Sequence, residues 1–84
     1  MRTIGLIGGM SWESTVTYYR EINREVRDRL DDGLASAKVL LHSVNFAEIV
    51  ALQQAGRWDE TARVLGDAGR GLAGAGAAVD FALA

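Results

Sequence analysis

Cysteine is absent from the 84 residues. Its absence excludes disulfides, thiolate metal ligands and any thiol nucleophile or thiol acid–base group supplied by the chain itself. Histidine occurs once, as His42, so there is no second imidazole, and no thiolate, with which to build a metal site. Neither sign of charge dominates: nine Lys and Arg stand against eleven Asp and Glu, for a net charge of −2. That balance leaves no basic footprint for nucleic acid. The apolar run near the start, Ile4-Gly5-Leu6-Ile7, is too short to span a bilayer and lacks both the basic flank and the cleavage site of a secretory leader. No membrane partner is expected, and the expected location is the cytoplasm. Aromatic residues make up only 7%. With no basic patch beside them, Trp12, Trp58, Tyr18 and Tyr19 read as core or interface aromatics rather than a stacking platform for bases.

What is present reads as a small globular α/β unit. Apolar residues at 49% and charged residues at 24% are ordinary for a folded domain. A chain of this length buries only roughly 60 to 65% of the surface its unfolded form exposes, so stability is expected to be marginal. Met1 to Tyr19 organises the rest: an apolar strand over Thr3 to Gly8, a turn at Gly8-Gly9, and a helix opening at Ser11-Trp12. The continuous apolar character of that strand predicts burial on both faces, as in a parallel sheet. Ser11 is a candidate cap for the helix, and Glu13 suits its positive end.

At 100° per residue, Trp12, Val16, Tyr19, Ile22, Val26 and Leu30 share one arc, predicted to pack on the sheet. Glu13, Arg20, Glu21, Arg24, Glu25 and Asp28 share the solvated one, with Glu25 and Arg29 at ion-pair spacing. Asp31-Asp32-Gly33 ends the helix, with glycine in the left-handed cap position. Lys38 to Val44 reads as a second buried strand containing His42, joined to the first by a parallel crossover. A histidine there is expected to be a core or strand-end residue more often than a base. Asn45-Phe46-Ala47-Glu48 resembles a capping box, opening a short helix whose stripe is Phe46, Ile49 and Val50. Gln53 falls in that stripe, where an unpartnered amide would cost roughly 1 to 3 kcal/mol, so either the core or a ligand must supply its partner.

Gly56 stops the second helix. A third begins near Trp58, with Trp58, Ala62, Leu65, Gly69 and Leu72 predicted to face inward and Asp59, Arg63, Asp67 and Arg70 outward, paired through Arg63. Its glycines, Gly66, Gly69, Gly71 and Gly74, each cost roughly 1 kcal/mol relative to alanine, and the exposed ones have no evident compensation. Ala77 to Ala84, with Val79, Phe81 and Leu83, reads as the opening of a third strand.

The glycine turn is the obvious candidate site, because ligands dock at the carboxyl ends of strands in open α/β sheets. Gly5, Gly8 and Gly9 do not form the dinucleotide fingerprint, and no phosphate-loop lysine follows, so nucleotide binding is a weak alternative. Ser11 sits where a ligand carboxylate would meet helix-end amides.

Thr3-Ile4-Gly5-Leu6-Ile7-Gly8-Gly9-Met10-Ser11-Trp12-Glu13-Ser14-Thr15, then Tyr18-Tyr19-Arg20 and Ile22-Asn23, closely resembles the amino-terminus of the aspartate/glutamate racemase family. The resemblance continues through Ser36 to Ile49, Leu52-Gln53 and Gly56 to Glu60, reaching about Gly76. It implies a two-domain α/β enzyme that inverts amino acids without pyridoxal phosphate or another cofactor, using two acid/base groups on opposite sides of Cα. This chain would then be a partial open parallel sheet of two to three strands with three helices, the first part of one Rossmann-like domain. Residues 1–84 would form an incomplete N-terminal domain.

In the family those two groups are cysteines, the first in a cysteine-threonine-asparagine-threonine loop after the third strand. Here Gly76-Ala77-Ala78-Val79-Asp80-Phe81-Ala82-Leu83-Ala84 follows, without a thiol in either register. Aligning Asp80-Phe81 puts the family's cysteine just after Ala84. The resemblance therefore assigns no catalytic residue and no metal or cofactor ligand to this chain. It assigns Met10, Ser11 and Gln53 to substrate contact, and leaves Trp12, Asn23, His42 and Asn45 to packing or loop support. An amino acid of aspartate or glutamate type is the implied partner. The alternative is a non-catalytic half-domain that binds a ligand or protein, or associates with itself through its unfinished sheet.

Overall fold

The computed structural model describes residues 2–30, 33–77 and the backbone of 81–83. Its elements run β1 (Ile4–Gly8), α1 (Trp12–Leu30), β2 (Val39–Ser43), α2 (Phe46–Gln54), α3 (Trp58–Gly74) and β3 (Phe81–Leu83). The strands form one sheet in the order β2-β1-β3. Both pairings are parallel, with Ile4 opposite Val39, Gly8 opposite Ser43 and Gly5 opposite Phe81. The expected α/β unit with a partial open parallel sheet and three helices is what the chain forms. β1, apolar throughout, takes the centre, and Gly5 to Gly8 are buried. Expectations resting on Asp31, Asp32, Ala78 to Asp80 and Ala84 fall outside the described residues.

The core lies between the sheet and α3: Ile7 packs with Ala68 and Leu72, with Met10, Leu40, Val44 and Leu65 around them. Leu6 and Ile49 are the large side chains that lose all contact with solvent. α3 turns Thr61, Ala68, Gly69 and Leu72 inward, a 3.6-residue stripe rotated from the predicted one. Seating the small residues Ala68 and Gly69 against the sheet swings Trp58 and Ala62 outward, and Trp58 is 61% exposed. The ion pairs move as well. Arg57 pairs with Glu60 and Arg70 with Asp67, and among the described residues none involves Arg63. On α1 the expected pair forms, Arg29 to Glu25 at 2.7 Å.

Two further expectations need correction. α1 does not bury the arc from Trp12 to Leu30. Thr15 is its buried residue, Ile22 and Val26 are half-buried, and Trp12, Val16, Tyr19 and Leu30 lie open to solvent. α1 packs only sparsely on the other elements, so most of its apolar arc stays open. β2 is likewise not a buried strand. As an edge strand it has Val39 and Leu40 half-buried, while Leu41, His42 and Ser43 are exposed, so His42 is not a core residue.

The stop of α2 agrees with the sequence: Gly56 takes a positive φ of 70°. At the end of α2, Gly56 N–H donates to the Gln53 carbonyl and Arg57 N–H to the Leu52 carbonyl, at 3.0 and 2.8 Å. This double bond pattern satisfies carbonyls that the last turn would leave open.

Candidate functional site at the carboxyl ends of β1 and β2

Parallel pairing brings the two residues that follow each strand together. Val44 N–H donates to the Gly8 carbonyl at 2.8 Å, carrying the β1–β2 ladder past the end of β2 and setting the β2–α2 loop beside the β1–α1 turn. The backbones approach so closely that a Cβ on Gly9 would stand 2.3 Å from the Val44 carbonyl oxygen. Gly9 also has φ 91°, a region that side-chain-bearing residues rarely enter. Its N–H donates to Thr15 Oγ1 at 2.9 Å in a buried bond.

Ser11 follows with φ 78°, the one described residue other than glycine on that side of the Ramachandran map. Such outliers persist only where the surroundings over-determine them. The expected side-chain cap is not how α1 begins. The Ser11 carbonyl accepts from the N–H groups of Ser14 and Thr15 at 3.1 and 3.3 Å, while its hydroxyl donates to Glu13 Oε2 at 3.0 Å. The left-handed backbone turns the side chain away from the first-turn amides. Asn45 does cap α2, its side-chain oxygen accepting from Ala47 N–H at 3.0 Å.

The amino-terminal ends of α1 and α2 thus open on one groove of about 550 Å³, lined by Gly9, Ser11, Trp12, Glu13, Ser43, Val44, Asn45, Phe46 and Ala47. Helix-end amides favour an anionic group such as a carboxylate, and Glu13, the charged side chain of the lining, favours an ammonium. Two other hollows lie along α1 beside Arg20 and Arg24, and around Gly56 to Glu60. Neither is at the strand ends. Among the described residues no group of three or more His, Asp or Glu converges as a metal site would require.

The sequence-assigned residues fall in three different places. Ser11 lines the groove. Met10 is half-buried and packs against the Ile7, Ala68 and Leu72 cluster beneath the turn. Gln53 is exposed near the end of α2 and is not among the lining residues, so its amide meets water and carries no burial cost. Of the supporting residues, Asn23 does tie a loop, accepting from Ala37 N–H at 2.8 Å while donating to the Tyr19 carbonyl at 2.9 Å. Trp12, 65% exposed, forms a wall of the groove. Sequence reasoning passed over Ser43 and Glu13, although a residue ending one parallel strand is bound to meet its counterpart. It also passed over Thr15, whose hydroxyl gave no signal.

The sequence model of the Asp/Glu/Hydantoin racemase family matches residues 7–83. The chain belongs to that family. Among solved structures it is similar to the crystal structure of a "putative Asp/Glu Racemase" from Yersinia pestis, with 53% sequence identity and a TM-score of 0.88 over 92% of this chain. The match covers 33% of that protein, so these residues span about a third of the length of their racemase relative. No helix among the described residues is long and apolar enough to cross a membrane.

Proposed function

We propose that residues 1–84 form the first part of the N-terminal domain of a cofactor-independent amino-acid racemase and supply part of the surface on which the substrate rests. The observation that carries this reading is the racemase family match through the glycine turn, together with the groove that turn forms with the β2–α2 loop. Inversion at Cα requires one group to remove the proton and another, on the opposite face, to return it. Neither is a cysteine of these 84 residues, which have none, so they supply neither of the two thiols implied for the family, and the 84-residue chain alone is expected not to turn over. Its contribution is binding. Ser11 meets the substrate from the turn, Met10 holds the turn from beneath, and Gln53 is the polar contact offered by α2. Helix-end amides take the carboxylate of the amino acid, and the site is a cytoplasmic one.

The test joins these residues to the remaining two-thirds of the Yersinia pestis relative, beginning where the match ends. The folded chimera is expected to exchange the Cα proton of L-aspartate, L-glutamate or a 5-substituted hydantoin for solvent deuterium, while the 84-residue chain exchanges none. A folded chimera inert toward all three classes removes the racemase reading. Turnover by the short chain alone removes the requirement for two thiols, because it would be inversion without them. A second reading, a half-domain that works by association, is favoured by the open margin of α1 and is tested at the scale of the whole molecule below.

A further inference from the structure

Thr15 is 5% exposed and touches the glycine turn at three points. Its Oγ1 accepts the buried N–H of Gly9 at 2.9 Å. Its own N–H donates to the Ser11 carbonyl at 3.3 Å. Its Cγ2 and Oγ1 occupy the space that Gly8 leaves by having no side chain, since a Cβ there would stand 2.6 and 2.8 Å from them. One residue therefore grips both ends of the Gly9-Met10-Ser11 turn and fills the hollow beneath its start. The turn needs such a grip: Gly9 and Ser11 both have positive φ, 91° and 78°, and a serine in that region relaxes unless its neighbours hold it. The bond has a second effect, because the Gly9 N–H is consumed inside the protein and is withheld from any ligand in the groove.

We infer that Thr15 is a positioning residue, a clamp that fixes the turn so that Ser11 faces the groove in one geometry. The substrate side of this inference rests on the racemase reading above; the clamp itself does not. The hydroxyl and the methyl group have separable jobs, which two variants distinguish. Thr15→Val keeps the volume and removes the acceptor, whereas Thr15→Ser keeps the acceptor and removes the methyl.

Amide hydrogen exchange on the ¹⁵N-labelled 84-residue chain reads the clamp directly. The Gly9 amide is expected to be protected in the parent, to exchange roughly tenfold faster or more in Thr15→Val, and to stay within about threefold of the parent in Thr15→Ser. An unprotected Gly9 amide in the parent overturns the clamp even if Thr15→Val fails to fold, as does an unchanged rate in a folded Thr15→Val. In the racemase chimera, Thr15→Val is expected to raise KM for the amino acid about tenfold with kcat within about threefold, and Thr15→Ser to restore KM. An unchanged KM with the Gly9 bond lost overturns the positioning role. A chimera inert with its native Thr15 removes the racemase reading and this role together, and the exchange rates still decide the clamp.

Discussion

Gly9 is the residue at which conformation and space agree most completely. Its φ of 91° would cost a side-chain-bearing residue roughly 1 to 2 kcal/mol, and the obstruction is main chain, the Val44 carbonyl oxygen at 2.3 Å from a built Cβ, which has no rotamer by which to move aside. Gly9→Ala is therefore expected to destabilise the chain by about 3 to 5 kcal/mol, combining strain with overpacking, a large share of a small domain's stability. Urea denaturation followed by circular dichroism checks it; a loss under about 1 kcal/mol would mean the two loops are not held together as described. At this scale the sequence was legible where a residue's role is local. Asn45 as a cap and Gly56 as a stop follow from the chemistry of those residues alone. Ser11 was not, because its left-handed backbone is imposed by Thr15 and Gly9, and a serine before a helix ordinarily signals a side-chain cap. Gln53 misled for a related reason: the stripe is covered at Ile49 and half-covered at Val50, but the cover does not extend to Gln53 one turn on.

At the scale of elements, periodicity located β1, both turns and all three helices, since each of those patterns is fixed by the chain's own geometry. It misjudged which side of a helix, and which strand, would be buried. β1 is central and apolar on both faces as read, whereas β2 opens with the apolar Val39-Leu40-Leu41, closes with the polar His42 and Ser43 and lies at an edge, where topology leaves even Leu41 exposed. α3 carries its own test of what its glycines cost. Gly71 is exposed in the helix interior, and an added Cβ there meets nothing within 4 Å. Gly71→Ala should therefore stabilise the chain by about 0.5 to 1 kcal/mol through helix propensity and reduced unfolded-state freedom. For a domain of this size a gain of about 1 kcal/mol corresponds to a Tm rise of roughly 4 to 8 °C, readable by thermal melting. A fall in Tm would show that this face of α3 is occupied.

The whole molecule is extended rather than round. Its radius of gyration is 14.4 Å and its principal extents are 49 × 26 × 13 Å, against about 12 Å expected for a compact domain of this length. In this extended shape Trp12, Val16, Tyr18, Tyr19 and Leu30 of α1 stay exposed, and the sheet is open with β2 and β3 at its edges. Apolar surface of this kind, next to unpaired strand edges, promotes association. Sedimentation velocity at micromolar concentration should therefore show species larger than the 9.0 kDa chain, and the charge-bearing variant Val16→Lys should shift the distribution toward the monomer. A sharp monomer in the parent chain would show that α1 tolerates solvent along its exposed margin and would remove the association reading.

The strand order also has a consequence for biogenesis. β1 leaves the ribosome before both of its partners and can recruit β2 early, but its other edge is completed only when Phe81, far along the sequence, reaches Gly5. Closing so long a span before its contacts repay the lost entropy is slow. Until then the central strand offers one bare side to solvent, a natural target for chaperones that bind emerging polypeptides.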